Sequence, residues 1–188
     1  MSRVAKEILD CGGVNLSYDS KTMIITVNGK HGSETIRLFP GMNFHEEANK
    51  VWITLNEDID TSDRKIIYGD KAKWGLCVRL LKNAIHGVKN LFVESLQFVG
   101  IGYKGQVIGN TLVMKVGYSH DIILQIPEGI AVKMESQTVM QLTGANKQRL
   151  GSFISIICRQ RKYNPYKGKG VVDPKKQMRI KEIKGGKK

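Results

Sequence analysis

Hydrophobic and polar positions alternate over several short stretches of the chain. Lys21-Thr22-Met23-Ile24-Ile25-Thr26-Val27 has this pattern, and Ile36-Arg37-Leu38-Phe39-Pro40 and Val51-Trp52-Ile53-Thr54-Leu55 follow it. Such alternation predicts half-buried antiparallel strands. The same order recurs in Asn110–Val116, Ile123–Pro127 and Thr138–Leu142. Pro40 and Pro127 lie 87 positions apart, as do Leu55 and Leu142. A strand, a strand closing on proline, a third strand and then a helical pattern, repeated at one spacing, points to duplication. Chance likeness between short strand segments is the alternative.

The helical patterns are longer and clearer. At 100° per residue, Trp74, Cys77, Leu80, Leu81, Ala84, Ile85 and Val88 share a face, with Gly75, Arg79, Lys82 and His86 opposite. Leu150, Phe153, Ile154, Ile157 and Cys158 share another, with Gln148, Ser152, Ser155 and Arg159 opposite. Each apolar stripe is suited to cover a small sheet. The predicted architecture is α+β: two tandem duplicated domains, each a small antiparallel sheet with one main helix. They span residues 1–86 and 87–172 and are followed by a basic tail over 173–188. Domains of this size bury a modest share of their surface, so packing on a partner would help them.

Charge changes this picture. The 188 residues carry 30 basic and 17 acidic side chains, a net +13. Residues 1–80 hold 11 of each sign, and residues 81–146 hold 5 basic and 4 acidic. Residues 147–188 hold 14 basic and 2 acidic, a net of +12. A solvated helix face mixes signs, whereas a one-sign run with Gly and Pro repels itself and expects a polyanion. The tail is expected to be unordered on its own. Nucleic acid is the leading partner. An anionic membrane surface is the next candidate, but the tail lacks the apolar face of an interfacial helix, and no apolar run is long enough to span a bilayer. Three widely spaced cysteines make no disulfide framework and fit a reducing compartment. The first residues lack the pattern of a leader peptide.

Candidate chemistry mostly fails its context tests. Gly100-Ile101-Gly102-Tyr103-Lys104-Gly105 matches G-x-G-x-x-G, but a strand-like stretch follows where a dinucleotide site needs a helix. It reads as a bend between strands, where Tyr103 and Lys104 could touch RNA. His31, His45, His86 and His120 have no ligand spacing with one another or with a cysteine. Tyr118-Ser119-His120-Asp121 is contiguous, and catalytic triads are assembled across space. Glu46-Glu47 and Glu57-Asp58 read as solvated loop or edge positions. The sequence therefore offers no catalytic residue, metal site, cofactor or small-molecule substrate.

The end of the second helix is different. Arg159-Gln160-Arg161-Lys162-Tyr163-Asn164-Pro165-Tyr166-Lys167-Gly168-Lys169-Gly170 interleaves cations with tyrosines. Pro165 pushes Asn164 out of helical geometry. Gly168 and Gly170 allow close backbone approach and positive φ. Lys167 and Lys169 supply charge, and Tyr163 and Tyr166 can stack on exposed bases. Lys175, Lys176, Arg179, Lys181 and Lys184 continue the basic run, as do Lys187 and Lys188. A disordered solubility tail is the competing reading.

Pro165-Tyr166-Lys167-Gly168-Lys169-Gly170 resembles the C-terminal signature of the bacterial-type large-subunit ribosomal protein L-six family. Met1-Ser2-Arg3-Val4 resembles its N-terminus, and Trp74-Gly75 through Gly87-Val88 its first-domain helix. Val99-Gly100-Ile101-Gly102-Tyr103-Lys104 and Val116-Gly117-Tyr118-Ser119-His120 resemble its two glycine motifs. Gly144-Ala145-Asn146-Lys147-Gln148-Arg149-Leu150-Gly151 resembles the opening of its second helix. The resemblance implies two duplicated α+β domains and a structural, non-catalytic role in the large ribosomal subunit. The implied partner is large-subunit ribosomal RNA near the sarcin–ricin loop and stalk base, beside other large-subunit proteins and close to translational GTPases. The implied contacts run from Tyr166 to Gly170 and onto Arg159, Arg161, Lys162 and the tail, with Lys147 and Arg149 as further candidates. The chain departs from the family pattern at Lys162-Tyr163-Asn164, where relatives carry paired prolines, and at Ala5 and Glu7. This drift points to an organelle, the mitochondrial matrix ahead of the bacterial cytoplasm. A free-standing basic RNA-binding adaptor and an enzyme with a basic tail are the competing functions.

Overall fold

A computed structural model describes residues 6–55, 64–176 and 178–182; of residues 64–68 and 70 it describes the helical backbone alone. The N-terminal motif through Ala5, the pair Glu57-Asp58, and Lys184, Lys187 and Lys188 lie outside the described residues. The chain divides into two compact units between Leu91 and Phe92. The expected division after residue 86 falls inside a helix, because the periodic stripe continues through Val88 to Lys89.

The first unit holds β1 (Leu9–Asp10), β2 (Asn15–Asp19), β3 (Ile24–Gly29), β4 (Gly32–Arg37), β5 (Met42–Glu47), β6 (Lys50–Leu55) and α1 (Arg64–Lys89). They form two antiparallel sheets, ordered β2-β3-β4 and β1-β6-β5. The second unit holds β7 (Phe92–Val99), β8 (Lys104–Ile108), β9 (Thr111–Lys115), β10 (Ile122–Gln125), β11 (Ile130–Met134), β12 (Val139–Gly144), α2 (Lys147–Gln160) and β13 (Gly170–Val172). Its sheets are β8-β9-β10 and β11-β12-β7-β13, again antiparallel. Each unit therefore has two small sheets rather than the single one expected. Strand for strand the topology repeats, with β13 added.

The repeat extends to the cores. Ile25 and Val27 of β3 are fully buried, and so are Leu112 and Met114, 87 positions on. Leu9 and Cys11 likewise correspond to buried Leu96 and Phe98. One strand breaks the rule. β3 pairs Ile25 with Ile36, whereas β9 pairs Leu112 with Leu124, one residue beyond the 87-residue offset. A one-residue slip turns a strand over. Ile36 is buried, and its counterpart Ile123 is 65% exposed.

Both helices cover their sheets as the stripes predict. Cys77, Leu81, Ala84, Ile85 and Val88 of α1 are buried, with Trp74 and Leu80 packed beside them. The Trp74 indole Nε1 donates to the Ile53 carbonyl at 2.7 Å, tying α1 to β6. Glu7, a departure from the family pattern, pairs with Lys82 of α1. Leu150, Phe153, Ile154 and Ile157 of α2 are buried, and Cys158 is half-buried.

Candidate nucleic-acid interface

The candidate interface is built where α2 ends. Asn146 caps the start of that helix, its side-chain oxygen accepting from the Arg149 amide at 3.0 Å. At the other end Arg161 turns extended, with φ −142° and ψ 94°. Pro165 lacks an amide hydrogen and disfavours helical geometry at Asn164, so the helix cannot continue.

The chain then closes a small loop. Asn164 Oδ1 accepts from the amides of Tyr166 at 2.9 Å and Lys167 at 3.3 Å. The Asn164 carbonyl accepts from the Gly168 amide, and the Asn164 amide donates to the Lys169 carbonyl, each at 2.8 Å. Gly168 supplies the positive φ of +65° this ring requires. Gly170 solves a different problem, close approach. A Cβ there would lie 2.6 Å from Tyr163 Cα and 2.9 Å from the Lys162 carbonyl oxygen. The returning strand lies against the chain that left the helix, with the Val171 amide donating to the Arg161 carbonyl at 3.1 Å.

The chain then joins the sheet, and the described part of the tail, expected to be unordered by itself, bonds back to this unit through Lys175 and Lys181. β13 pairs with β7, placing buried Val171 opposite Phe98. The Lys181 amide donates to the Pro165 carbonyl at 3.0 Å. Two apolar residues, Val171 and Val172, suffice to add an edge strand to an existing sheet.

Arg159, Arg161, Lys162, Lys167 and Lys169 line one open cleft of about 570 Å³, together with Tyr103 and Tyr118. Asn164, Gln160 and Gly117 complete its wall, and the lining contains no acid. Among the described residues none of these five cations is in an ion pair. The Arg161 guanidinium lies 4.9 Å from the centre of the Tyr118 ring. Hydrogen bonding to Tyr118, and then to Tyr103, raises its pKa above the usual guanidinium value. The Tyr118 hydroxyl donates to the Gln160 carbonyl at 3.0 Å.

The other expected contact residues are placed elsewhere. Lys175 pairs with Glu94 at 2.6 Å, and Lys176 lies 4.0 Å from Asp173. Lys176 and Arg179 line a separate pocket with Tyr163 and Cys158, and Lys162 borders both. Tyr166 is exposed but does not line the cleft. Lys147 and Arg149 sit at the opposite end of α2, where the Lys147 ammonium lies 5.5 Å from the Phe92 ring centre. Lys104 is exposed on β8, while Tyr103 is buried in the core beside the cleft. A Cβ on Gly100 would come within 2.9 Å of the Tyr103 ring, and one on Gly117 within 3.0 Å. Both glycine motifs thus make room for one tyrosine. Gly117, Tyr118, Gln160 and Asn164 are cleft residues that the sequence reading did not name as contacts, although the motif holding Tyr118 was visible.

Burial holds the cysteine thiols protonated, with Cys11 pushed up to about 11 and Cys77 and Cys158 also raised. Among the described residues no group of three or more His, Cys, Asp or Glu side chains could hold a metal ion, and no helix is long and apolar enough to cross a membrane.

The sequence model of the family described as "Ribosomal protein L6" matches residues 99–173, which include the cleft and its loop. The large ribosomal subunit protein uL6 of Latilactobacillus sakei is 36% identical over 188 residues, covering all of both chains. That of Pseudothermotoga lettingae is 35% identical over 187 residues, covering 98% of this chain and 99% of the relative. That of Staphylococcus aureus is 35% identical over the whole of both chains. These relatives are bacterial, so the organelle assignment drawn from motif drift finds no support. With identity of this level running end to end, the chain belongs to the ribosomal protein L6 family.

Proposed function

We propose that this chain is a structural, non-catalytic constituent of the large ribosomal subunit. Its second unit grips large-subunit ribosomal RNA through the cleft at the end of α2. The observation that carries this reading is the gathering of five cations, without a neutralising acid, in one cleft formed by the end of α2 and a loop closed by its own hydrogen bonds. Phosphate contacts of this kind supply affinity through counterion release and fix orientation rather than sequence. The finer expectation is a contact near the sarcin–ricin loop and stalk base, beside neighbouring large-subunit proteins and close to translational GTPases. That position rests on the family resemblance. The bacterial relatives support a bacterial-type ribosome in the cytoplasm as the setting.

The test is where the tagged chain sediments in a lysate gradient. Co-migration with large subunits through a high-salt wash is expected, with Lys167→Glu/Lys169→Glu excluded from subunits. Normal occupancy by the double variant overturns the cleft's role. Recovery of the native chain at the top of the gradient, bound to RNA but not to subunits, would instead favour a free-standing adaptor.

A further inference from the structure

The cleft's cations account for phosphate, but they leave its aromatic rim unexplained. Tyr118 is 47% exposed. Three contacts nevertheless fix its ring: its hydroxyl donates to Gln160, the Arg161 guanidinium lies 4.9 Å from its centre, and the His120 imidazole stacks 5.8 Å away at 23°. An exposed ring held this way loses little rotamer freedom when something binds it. Gly117 beside it has a φ of +80° and no room for a Cβ against Tyr103, so this position adds no side chain next to the ring.

Paired RNA keeps its base faces inside its own stack and has no use for a flat ring. An unpaired nucleotide offers a base face and a phosphate together. We infer that Tyr118, His120 and Arg161 form a stacking platform for one unpaired base, whose backbone phosphates lie along the cleft lysines. This rests on the reading of the cleft as an RNA site. It narrows the ligand from RNA in general to a strand with a base displaced from its helix.

Two synthetic RNA hairpins, one fully paired and one carrying a single bulged 2-aminopurine, separate these ideas when titrated against the full chain at fixed salt. The bulged hairpin is expected to bind about five- to a hundredfold more tightly, with its emission quenched by stacking. His120→Leu removes the imidazole and leaves the Tyr118–Gln160 bond and every cleft cation in place. It is expected to abolish the preference and the quenching without changing affinity for the paired hairpin. Equal binding of both hairpins by the native chain, or a preference that survives His120→Leu, overturns the platform. Failure to bind either hairpin overturns the RNA reading of the cleft along with it.

Discussion

Gly170 and Gly151 show how differently one residue type can act within the same unit. Gly170 has a φ of +145° and would drive a Cβ into the backbone of Tyr163. Gly170→Ala must displace main chain, so it is expected to lower stability by about 1–3 kcal/mol in denaturant titration. Gly151 lies inside α2 with nothing within 4 Å of a Cβ position. Gly151→Ala is expected to raise stability by about 0.5–1 kcal/mol in the same assay, the conformational freedom that glycine loses in a helix. Cys11 adds a pH dependence. Its thiol is pushed up to about 11 by burial, from 9.0 in the unfolded chain. Between those values the unfolded chain gives up its proton while the folded one keeps it, so stability present below pH 9 falls as pH rises. Thermal midpoints measured from pH 8 to 11 are expected to fall more steeply for the native chain than for Cys11→Ala. Cys77 and Cys158 pull in the same direction in both proteins and cancel from the comparison.

At the scale of elements, the loop and the tail lysines carry the same charge in different circumstances. Lys167 projects from a hydrogen-bonded ring into a cleft without acids, whereas Lys175 already faces Glu94 at 2.6 Å. Lys167→Ala is therefore expected to weaken RNA binding several-fold, and Lys175→Ala much less, in filter binding at one salt concentration. An exposed ion pair such as Lys175–Glu94 is worth at most about 1 kcal/mol, so folding should barely register its loss. This difference was invisible in a charge count, because the partner of Lys175 lies 81 positions away on β7. The same reason hid β13. Val171 and Val172, just ahead of the basic tail, show no pattern of their own, and they become a strand only because β7 offers a free edge. Tyr118 was legible as part of a glycine motif, yet its role depends on a carbonyl 42 positions further along. By contrast α1 and α2 were legible from their stripes, since a helix writes its buried face at local spacing. The short strands β1, β2 and β5 were not. They hold two to six residues, and β5 ends in Glu46-Glu47, with too little alternation to stand out.

Across the whole molecule, two units of one topology have divided the charge unequally. Residues 1–91 hold 13 basic and 11 acidic side chains, net +2, and residues 92–188 hold 17 and 6, net +11. The fold has been duplicated, and among the described residues the basic cleft and β13 lie in the second copy. If that cleft is the anion site, it sets the salt dependence of the full chain. Each phosphate neutralised contributes about −0.7 to −0.9 to the slope of log K on log salt. Five cleft cations then give a slope between about −3.5 and −4.5, or roughly a hundred- to five-hundredfold weaker binding at 200 mM than at 50 mM salt. About 6–10 contacts spread along the whole basic segment would give a steeper loss. Lys175 and Lys176, which lie next to carboxylates in the fold, account for part of the difference. Salt titrations of the full chain test this directly. Removing one cleft cation, as in Lys169→Ala, is expected to flatten the slope by nearly one, and Lys50→Ala in the first unit should leave it unchanged. A slope near −8, or one that responds equally to both variants, would mean that phosphates are held along the whole chain rather than in the cleft.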